Sequence, residues 1–196
     1  MVYFDTSMKR SFEHSVTGRS FPTDPNGHDL AVRSTPRFRM SVHYTLASSG
    51  SSRILYSHWH EEMEFLVVAR GQARFRLGQE DFTIRERDIV VIQPNMFHSV
   101  DMIDKFPCEL YSVLVHYNFL AGPEIDDIQQ KYILPFFFGH IVYPVHIEAD
   151  MDNRYGLLNV LMTIIKSHRK KEKGYELFIK SKIYEAFYIF SKYTAF

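Results

Sequence analysis

The first two thirds of the chain carry short runs in which apolar and polar residues alternate, or in which every residue is apolar. These runs cover residues 39–46, 54–60, 64–69, 73–77, 81–84, 89–92, 99–103 and 110–117. Alternation places every second side chain on one face of a strand, whereas a continuous apolar run indicates a strand buried on both faces. Short strands at intervals of roughly 8–12 residues predict a sandwich or barrel.

The apolar pattern changes to a helical period near residue 150. Apolar residues then recur at intervals of three and four, at Leu157, Leu158, Leu161, Ile164 and Ile165. Gly174 interrupts this pattern, and a second helix is expected from residue 175 to about residue 193. The predicted fold class is mainly β with C-terminal helices. We divide the chain into an arm (residues 1–37), a barrel (residues 38–148) and a helical hairpin (residues 149–196).

Charge, cysteine content and hydropathy exclude several classes of protein. Basic and acidic residues are balanced at 23 each, whereas a domain that binds nucleic acid by itself carries a basic excess or a basic face. The single cysteine, Cys108, permits no internal disulfide. No apolar run approaches the ~20 residues of a membrane span. We therefore expect a cytoplasmic protein that binds neither DNA directly nor a membrane.

Residues with metal-ligating chemistry are concentrated between His58 and His98. His58 and His60 are two residues apart, so on a strand both imidazoles point to the same face. Glu64 keeps that parity if the chain stays extended after a local irregularity. His98 follows several strands later, just after Pro94, which ends a strand. Three imidazoles and one carboxylate suit a divalent ion such as Zn, Ni, Mn or Fe.

A metal is not the only interpretation of these four side chains. Inside a polar barrel, they can equally hydrogen-bond a small organic ligand or one another. Both interpretations stay open, and His58, His60, Glu64 and His98 are candidate ligand-binding residues in either. Aromatic residues of the predicted strands are candidates to stack against such a ligand: Tyr44, Tyr56, Phe65, Phe75 and Tyr111.

The sequence of this segment resembles a known family. The pattern from His58 to Glu64, with Gly71 after it, is similar to the first motif of the cupin superfamily. The pattern from Pro94 to His98 is similar to the second motif. Within cupins, residues 52–100 most resemble the N-terminal sensor domain of AraC-type transcriptional regulators.

Two positions depart from the cupin motifs. Ser52 and Met96 each stand where the motifs usually have glycine. The spacing from Pro94 to His98 is also one residue shorter than in most cupins, which is ordinary for the regulators and less so for cupin enzymes. Beyond Val100 the resemblance is mostly architectural.

The resemblance implies a cupin-type double-stranded β-helix, or jelly-roll barrel, followed by an α-helical hairpin that forms a homodimer. An alternative is that the hairpin only caps the barrel. The resemblance further implies an arm that folds over the ligand, which makes Arg37, Phe38 and Arg39 candidates near the pocket mouth. The implied effector is a small molecule, and carbohydrate is suggested by family analogy alone.

Bacterial regulators of this type continue into helix-turn-helix units, and no such pattern occurs up to Phe196. The chain therefore resembles a sensor fragment whose parent protein contacts DNA through a further domain. We expect no catalytic residues and no enzymatic activity. The alternatives are a metal-dependent cupin enzyme, such as a dioxygenase or isomerase, and a stand-alone small-molecule-binding cupin.

Overall fold

The computed structural model describes residues 22–31, 34–47, 52–103, 105–138 and 145–193. Within these residues the eight alternating and apolar runs form eight strands, and a short ninth strand follows before the helical hairpin. The strands are β1 (Met40–Ala47), β2 (Arg53–His58), β3 (Met63–Arg70), β4 (Gln72–Leu77), β5 (Glu80–Arg85), β6 (Ile89–Ile92), β7 (His98–Met102), β8 (Cys108–Val115) and β9 (His146–Ile147). Each run in the sequence thus corresponds to one strand, with ends that differ by a few residues.

The strands form two antiparallel sheets packed face to face. The five-stranded sheet has the order β1-β8-β3-β6-β9, and the four-stranded sheet has the order β2-β7-β4-β5. Between the two sheets lies an apolar core that includes Leu66, Val68, Phe75, Ile84 and Val90. This arrangement confirms the predicted double-sheet jelly roll.

Helices cover the outer face of the five-stranded sheet. They are α1 (Tyr117–Leu120), a π-helix (Gln129–Ile133), α2 (Leu134–Phe137), α3 (Ala149–Asp152), α4 (Leu157–Lys170), α5 (Tyr175–Phe190) and a 3₁₀ turn (Ser191–Tyr193). The predicted stripe of α4, from Leu157 to Ile165, is buried against the sheet. Within the described helices, none is long and apolar enough to cross a bilayer.

Asp152 joins the beginning and the end of the helical hairpin. Its carboxylate accepts hydrogen bonds from the backbone N–H groups of Leu157 (2.7 Å) and Leu158 (3.0 Å). These are N–H groups of the first turn of α4, which have no partner inside the helix. The hydroxyl of Tyr193 donates to the same carboxylate at 2.8 Å. Asp152 thus stabilises the N-terminus of α4 from four residues before Gly156, the N-cap residue of the helix.

Aromatic residues fill the layer between the five-stranded sheet and the helices. Phe65 packs against Phe187 and Phe190 with ring centroids 5.9 and 5.8 Å apart. Tyr44 and Tyr111 are paired across β1 and β8 and lie in the same layer. The prediction that Tyr44, Phe65 and Tyr111 line the barrel interior is therefore wrong. Helices bury the outer face of this sheet, so apolar residues occupy both faces and alternation alone cannot identify the inner one.

An irregularity in β2 changes which side chains face the interior. The pairing of β2 with β7 shifts register between Arg53 and Leu55 and again between Leu55 and His58. Ile54 and Leu55 are both buried, whereas Tyr56 is 43% exposed. Tyr56, a candidate to stack against a ligand, therefore does not share the buried face of His58, because a bulge breaks strict alternation.

Candidate metal and effector centre

The structure brings together the four residues that the sequence predicted as a site. One ring nitrogen from each of His58, His60 and His98 lies within 4.8 Å of the other two. The Glu64 carboxylate places Oε2 3.1 Å from Nε2 of His60 and 3.5 Å from Nε2 of His98. All four residues are buried. We refer to these four residues as the centre.

The centre is assembled from both sheets. His58 ends β2 and is paired with His98, the first residue of β7, in the four-stranded sheet. Glu64 comes from β3 of the opposing sheet. His60 lies in the short connection between β2 and β3. The positions of the four residues therefore depend on how the two sheets pack.

Backbone carbonyl groups fix the orientation of the three imidazoles. Nδ1 donates to the carbonyl oxygen of Tyr56 in His58 (2.7 Å), of Glu62 in His60 (3.1 Å) and of Met96 in His98 (3.0 Å). A carbonyl oxygen only accepts, so each Nδ1 carries a hydrogen. In a neutral ring such as His58, Nε2 then carries a lone pair that is suited to a metal or a ligand donor. Nε2 of His60 instead lies within hydrogen-bonding distance of Glu64 Oε2, at 3.1 Å.

Burial and neighbouring charges set the protonation of the centre. Burial, reinforced by the charge of His98, lowers the pKa of His58 to about 3, so this ring is neutral near pH 7. Burial alone would raise the pKa of the Glu64 carboxyl. The hydrogen bond from His60 and the charges of His98 and His60 together outweigh burial and lower that pKa. Glu64 is therefore an anion.

The donor set fits a divalent metal ion. Two ligand atoms that are each about 2.1 Å from one ion lie roughly 3.0 to 3.4 Å apart. Glu64 Oε2 lies 3.1 and 3.5 Å from the ring nitrogens of His60 and His98, close to this range. Neutral imidazole and carboxylate ligands suit Zn, Ni, Mn and Fe. A bound ion would act as a Lewis acid that holds and polarises a ligand oxygen.

Two further side chains complete the surroundings of the centre. The ring of Phe75 stacks on His98, with centroids 6.3 Å apart and planes 9° from parallel. Ser112 of β8 hydrogen-bonds the Glu64 carboxylate. Phe75 was among the candidates to stack against a ligand, and the structure places its buried ring between the sheets, beside the centre. Sequence reasoning missed Ser112, although a lone hydroxyl within an apolar strand is a detectable signal.

The other predicted binding residues lie elsewhere. The exposed ring of Tyr56 packs beneath Arg53, with the guanidinium carbon 5.4 Å from the ring centroid. Tyr44 donates its hydroxyl to Glu109 Oε2 at 2.9 Å, in the layer between the sheet and the helices. Arg39 lines a surface groove beside α5. The structure therefore does not bring Tyr44, Tyr56 and Arg39 together with the centre.

Part of the N-terminal arm docks beside the centre, on Trp59. The backbone N–H of Trp59 donates to the Gly27 carbonyl (3.1 Å), and the N–H of Asp29 donates to the Trp59 carbonyl (2.9 Å). The indole N–H donates to the Asn26 carbonyl (3.0 Å), and the His28 ring stacks on the indole at 4.3 Å. Trp59 separates His58 from His60, so the arm contacts the segment that carries two of the four centre residues. Residues 1–21 of the predicted arm lie outside the described residues.

Gly27 allows this close approach of the arm. Its φ angle is +79°, a conformation that residues with a side chain rarely adopt. A Cβ atom at this position would lie 2.7 Å from Cε1 of Phe97. The arm therefore needs glycine where it crosses the loop that precedes His98.

Comparison with known proteins supports both the barrel and a possible role. The chain is 20% identical over 159 residues to the uncharacterized HTH-type transcriptional regulator YdeC of Bacillus subtilis (strain 168). That alignment covers 81% of this chain and 54% of the relative, so the chain spans about half the length of the relative.

Two solved structures illustrate a partial likeness to this chain. One is a Cupin 2 conserved barrel domain protein from Salinispora arenicola, with 19% identity and a TM-score of 0.38, covering 46% of this chain and 74% of that chain. Another is a predicted oxalate decarboxylase from Thermotoga maritima, with 18% identity and a TM-score of 0.37, covering 40% of this chain and 68% of that chain.

A family model described as Cupin domain matches residues 42–114. The match extends from β1 to β8 and includes all four residues of the centre. The two-sheet topology agrees with this match. The barrel of this chain is therefore a cupin fold.

Proposed function

We propose that this chain is the effector-sensing domain of a transcriptional regulator of the AraC type. The observation that carries the proposal is the buried centre of His58, His60, Glu64 and His98 with an arm segment docked on Trp59 between two of its histidines. The similarity to an HTH-type regulator supports the same function. Contact with DNA belongs, in this proposal, to a further domain of the parent protein.

The centre binds a small molecule through a donor oxygen. The ring nitrogens of the three histidines and the Glu64 carboxylate would hold a divalent ion, which would supply Lewis-acid affinity for a hydroxyl or carboxylate oxygen. A carbohydrate supplies suitable hydroxyl groups. A ligand that binds with different affinity when the arm is docked and when it is undocked would shift the equilibrium between these two states.

A homodimer forms through the outer face of α5. Large apolar side chains are exposed there and on the neighbouring π-helix, namely Ile128, Tyr132, Tyr184 and Tyr188. They line a groove of about 820 Å³. Monomeric proteins rarely expose contiguous apolar surface of this kind. A second copy of the chain is the occupant that we assign to this face.

Trp59 provides the test of the effector site because it is the only tryptophan of the chain. Its indole contacts the arm and its neighbours in sequence belong to the centre. Metal-free protein is titrated with Zn, Ni, Mn and Fe(II), and the loaded protein with a panel of sugars and small acids. We expect a change in tryptophan emission in the wild type that is lost in His98→Ala. A wild type that binds no metal and no panel compound would contradict the proposal.

The same titration separates a sensor from a cupin enzyme. A sensor returns its ligand chemically unchanged after prolonged incubation, which mass spectrometry of the recovered ligand can check. Conversion of the ligand by metal-loaded wild type, but not by His98→Ala, would replace the sensor proposal with an enzymatic one.

The dimer has its own test. Tyr188→Glu places a charge on the proposed interface and should raise the dimer dissociation constant by at least about tenfold. Gln79→Glu adds the same charge to the exposed turn between β4 and β5 and serves as the matched control. Sedimentation of both variants over a range of concentrations measures the constants. Equal dissociation constants for wild type and Tyr188→Glu would rule out this interface.

A further inference from the structure

A surface groove of about 310 Å³ lies between residues 36–39 and the beginning of α5. Three cationic side chains line it: Arg37, Arg39 and Lys180. The only carboxylate in the described lining is that of Glu176. The chain as a whole has a formal net charge of zero, so this local excess of positive charge is not a consequence of a basic composition.

The three cations have no carboxylate partner among the residues that the structure describes. Arginines on the four-stranded sheet behave differently: Arg53 and Arg76 both pair with Asp101, at 2.8 and 3.6 Å. Glu176 accepts a hydrogen bond from the Tyr175 hydroxyl and offsets one of the three positive charges, so the lining keeps a net positive charge. Like charges that line one groove repel one another, and an anion would relieve that repulsion.

Packed aromatic rings anchor the backbone that carries the two arginines. Phe38 packs edge-on against Phe119 and Tyr175, with centroids 5.2 and 5.9 Å apart. Nζ of Lys180 lies 5.6 Å from the centroid of the Phe119 ring. The carbonyl of Arg39 accepts a hydrogen bond from the His116 N–H at 3.1 Å. The backbone between Arg37 and Arg39 is thus anchored to both the sheet and the helical layer.

We propose that this groove binds the phosphate group of a small metabolite, with Arg37 and Arg39 as guanidinium donors and Lys180 as a third cation. Guanidinium groups bind phosphate oxygens in pairs, and a phosphate monoester offers three acceptor oxygens where a carboxylate offers two. The groove volume lies at the lower end of small-molecule sites, which span roughly 300–1,000 Å³. A compact phosphorylated compound matches both the charge and the size.

The position of the groove gives this site a regulatory consequence. One wall is the chain just before β1, where the arm ends, and the other is α5 of the hairpin. A bound phosphate would tie these two elements together. The site is separate from the centre, so it does not depend on whether the barrel holds a metal.

The test uses the full chain, free of metal, with inorganic phosphate as the probe and isothermal titration calorimetry at constant ionic strength. We expect one phosphate per chain in the wild type and affinities about tenfold weaker in Arg39→Gln and in Lys180→Gln. Arg74→Gln is the matched control, because it removes an exposed cation from the four-stranded sheet. Circular dichroism establishes that each variant is folded.

Every outcome decides the proposal. Binding that is weakened in both groove variants and unchanged in Arg74→Gln supports it. No phosphate binding by the wild type overturns it. Equal binding by the wild type and all three variants would identify an adventitious ion only, which also overturns it. Succinate binding more tightly than phosphate would overturn the assignment of a phosphate ligand.

Discussion

Glu64 and Phe65 are neighbours on β3, yet their side chains lie in opposite environments. Phe65 packs against Phe187 and Phe190 under the helices. Glu64 points between the sheets to His60 and His98. One face of the same strand therefore buries aromatic surface, which stabilises the fold, and the other buries a charge, which costs stability unless it is paired. In a sheet that is covered on both faces, one residue of a strand can stabilise the fold while its neighbour belongs to the candidate binding site.

The largest expected effect is on the helix-covered face. Phe190 is fully buried between Phe65 and Phe136. Phe190→Ala removes this aromatic contact and leaves a cavity, so we expect the free energy of unfolding to fall by about 3–5 kcal/mol. Denaturant titration measures the loss. Metal affinity of the folded fraction should stay unchanged.

Leu177→Ala is the control for this prediction. Leu177 lies on the same helix but is 78% exposed, so its truncation should change stability by less than about 0.5 kcal/mol. If Phe190→Ala also abolished metal binding by folded protein, the two faces of the sheet would be coupled. That result would contradict the conclusion that one face serves stability and the other serves binding.

The second prediction addresses the interior face. His98→Ala removes one of the donors, and we expect metal affinity to fall by more than about 100-fold, since loss of even an outer hydrogen-bond partner costs 10–100-fold. The metal-free variant should stay folded, because ladder pairing and apolar packing hold β7 in place. Calorimetric metal titration and denaturant unfolding measure the two quantities. A His98→Ala variant as unstable as Phe190→Ala would show that the centre is structural core.

The centre could be predicted from the sequence because histidine and glutamate are uncommon among the apolar residues of buried strands. Three histidines and a glutamate at these spacings are polar exceptions among apolar positions, and a period of two places His58 beside His60. The prediction held for His60 and Glu64 although both follow the end of β2. The resemblance to the first cupin motif, rather than alternation along one strand, indicated that these two residues lie beside His58.

Other positions could not be predicted because the missing information is tertiary. Tyr44 alternates as an inward residue would, and only the helices above the sheet show that its face is the outer one. The position of Tyr56 could not be predicted because β2 contains a bulge, and the alternation of its residues gives no sign of that bulge. Leu177 belongs to the apolar stripe of α5 by spacing but is exposed at the beginning of the helix.

The third prediction tests the reassigned position of Tyr44. Tyr44→Phe removes the hydroxyl that donates to Glu109 and leaves that buried carboxylate with Arg70 at 3.7 Å. We expect a stability loss of about 1–3 kcal/mol, typical for a buried hydrogen bond to a charged group. Metal and effector affinities should equal those of the wild type. A weaker affinity would show that Tyr44 contributes to binding and that the two faces of the sheet are not independent.

The smallest effect is expected at Tyr56, whose backbone and side chain belong to different environments. Its carbonyl orients His58, whereas its ring is exposed and packs only with Arg53 among the contacts that the structure gives for that ring. Tyr56→Ala keeps the carbonyl and removes the ring, so stability should fall by about 0.5–1 kcal/mol and metal affinity should not change. Denaturant unfolding and metal titration check both values. A loss of metal affinity would mean that the ring, and not only the carbonyl, holds His58 in position.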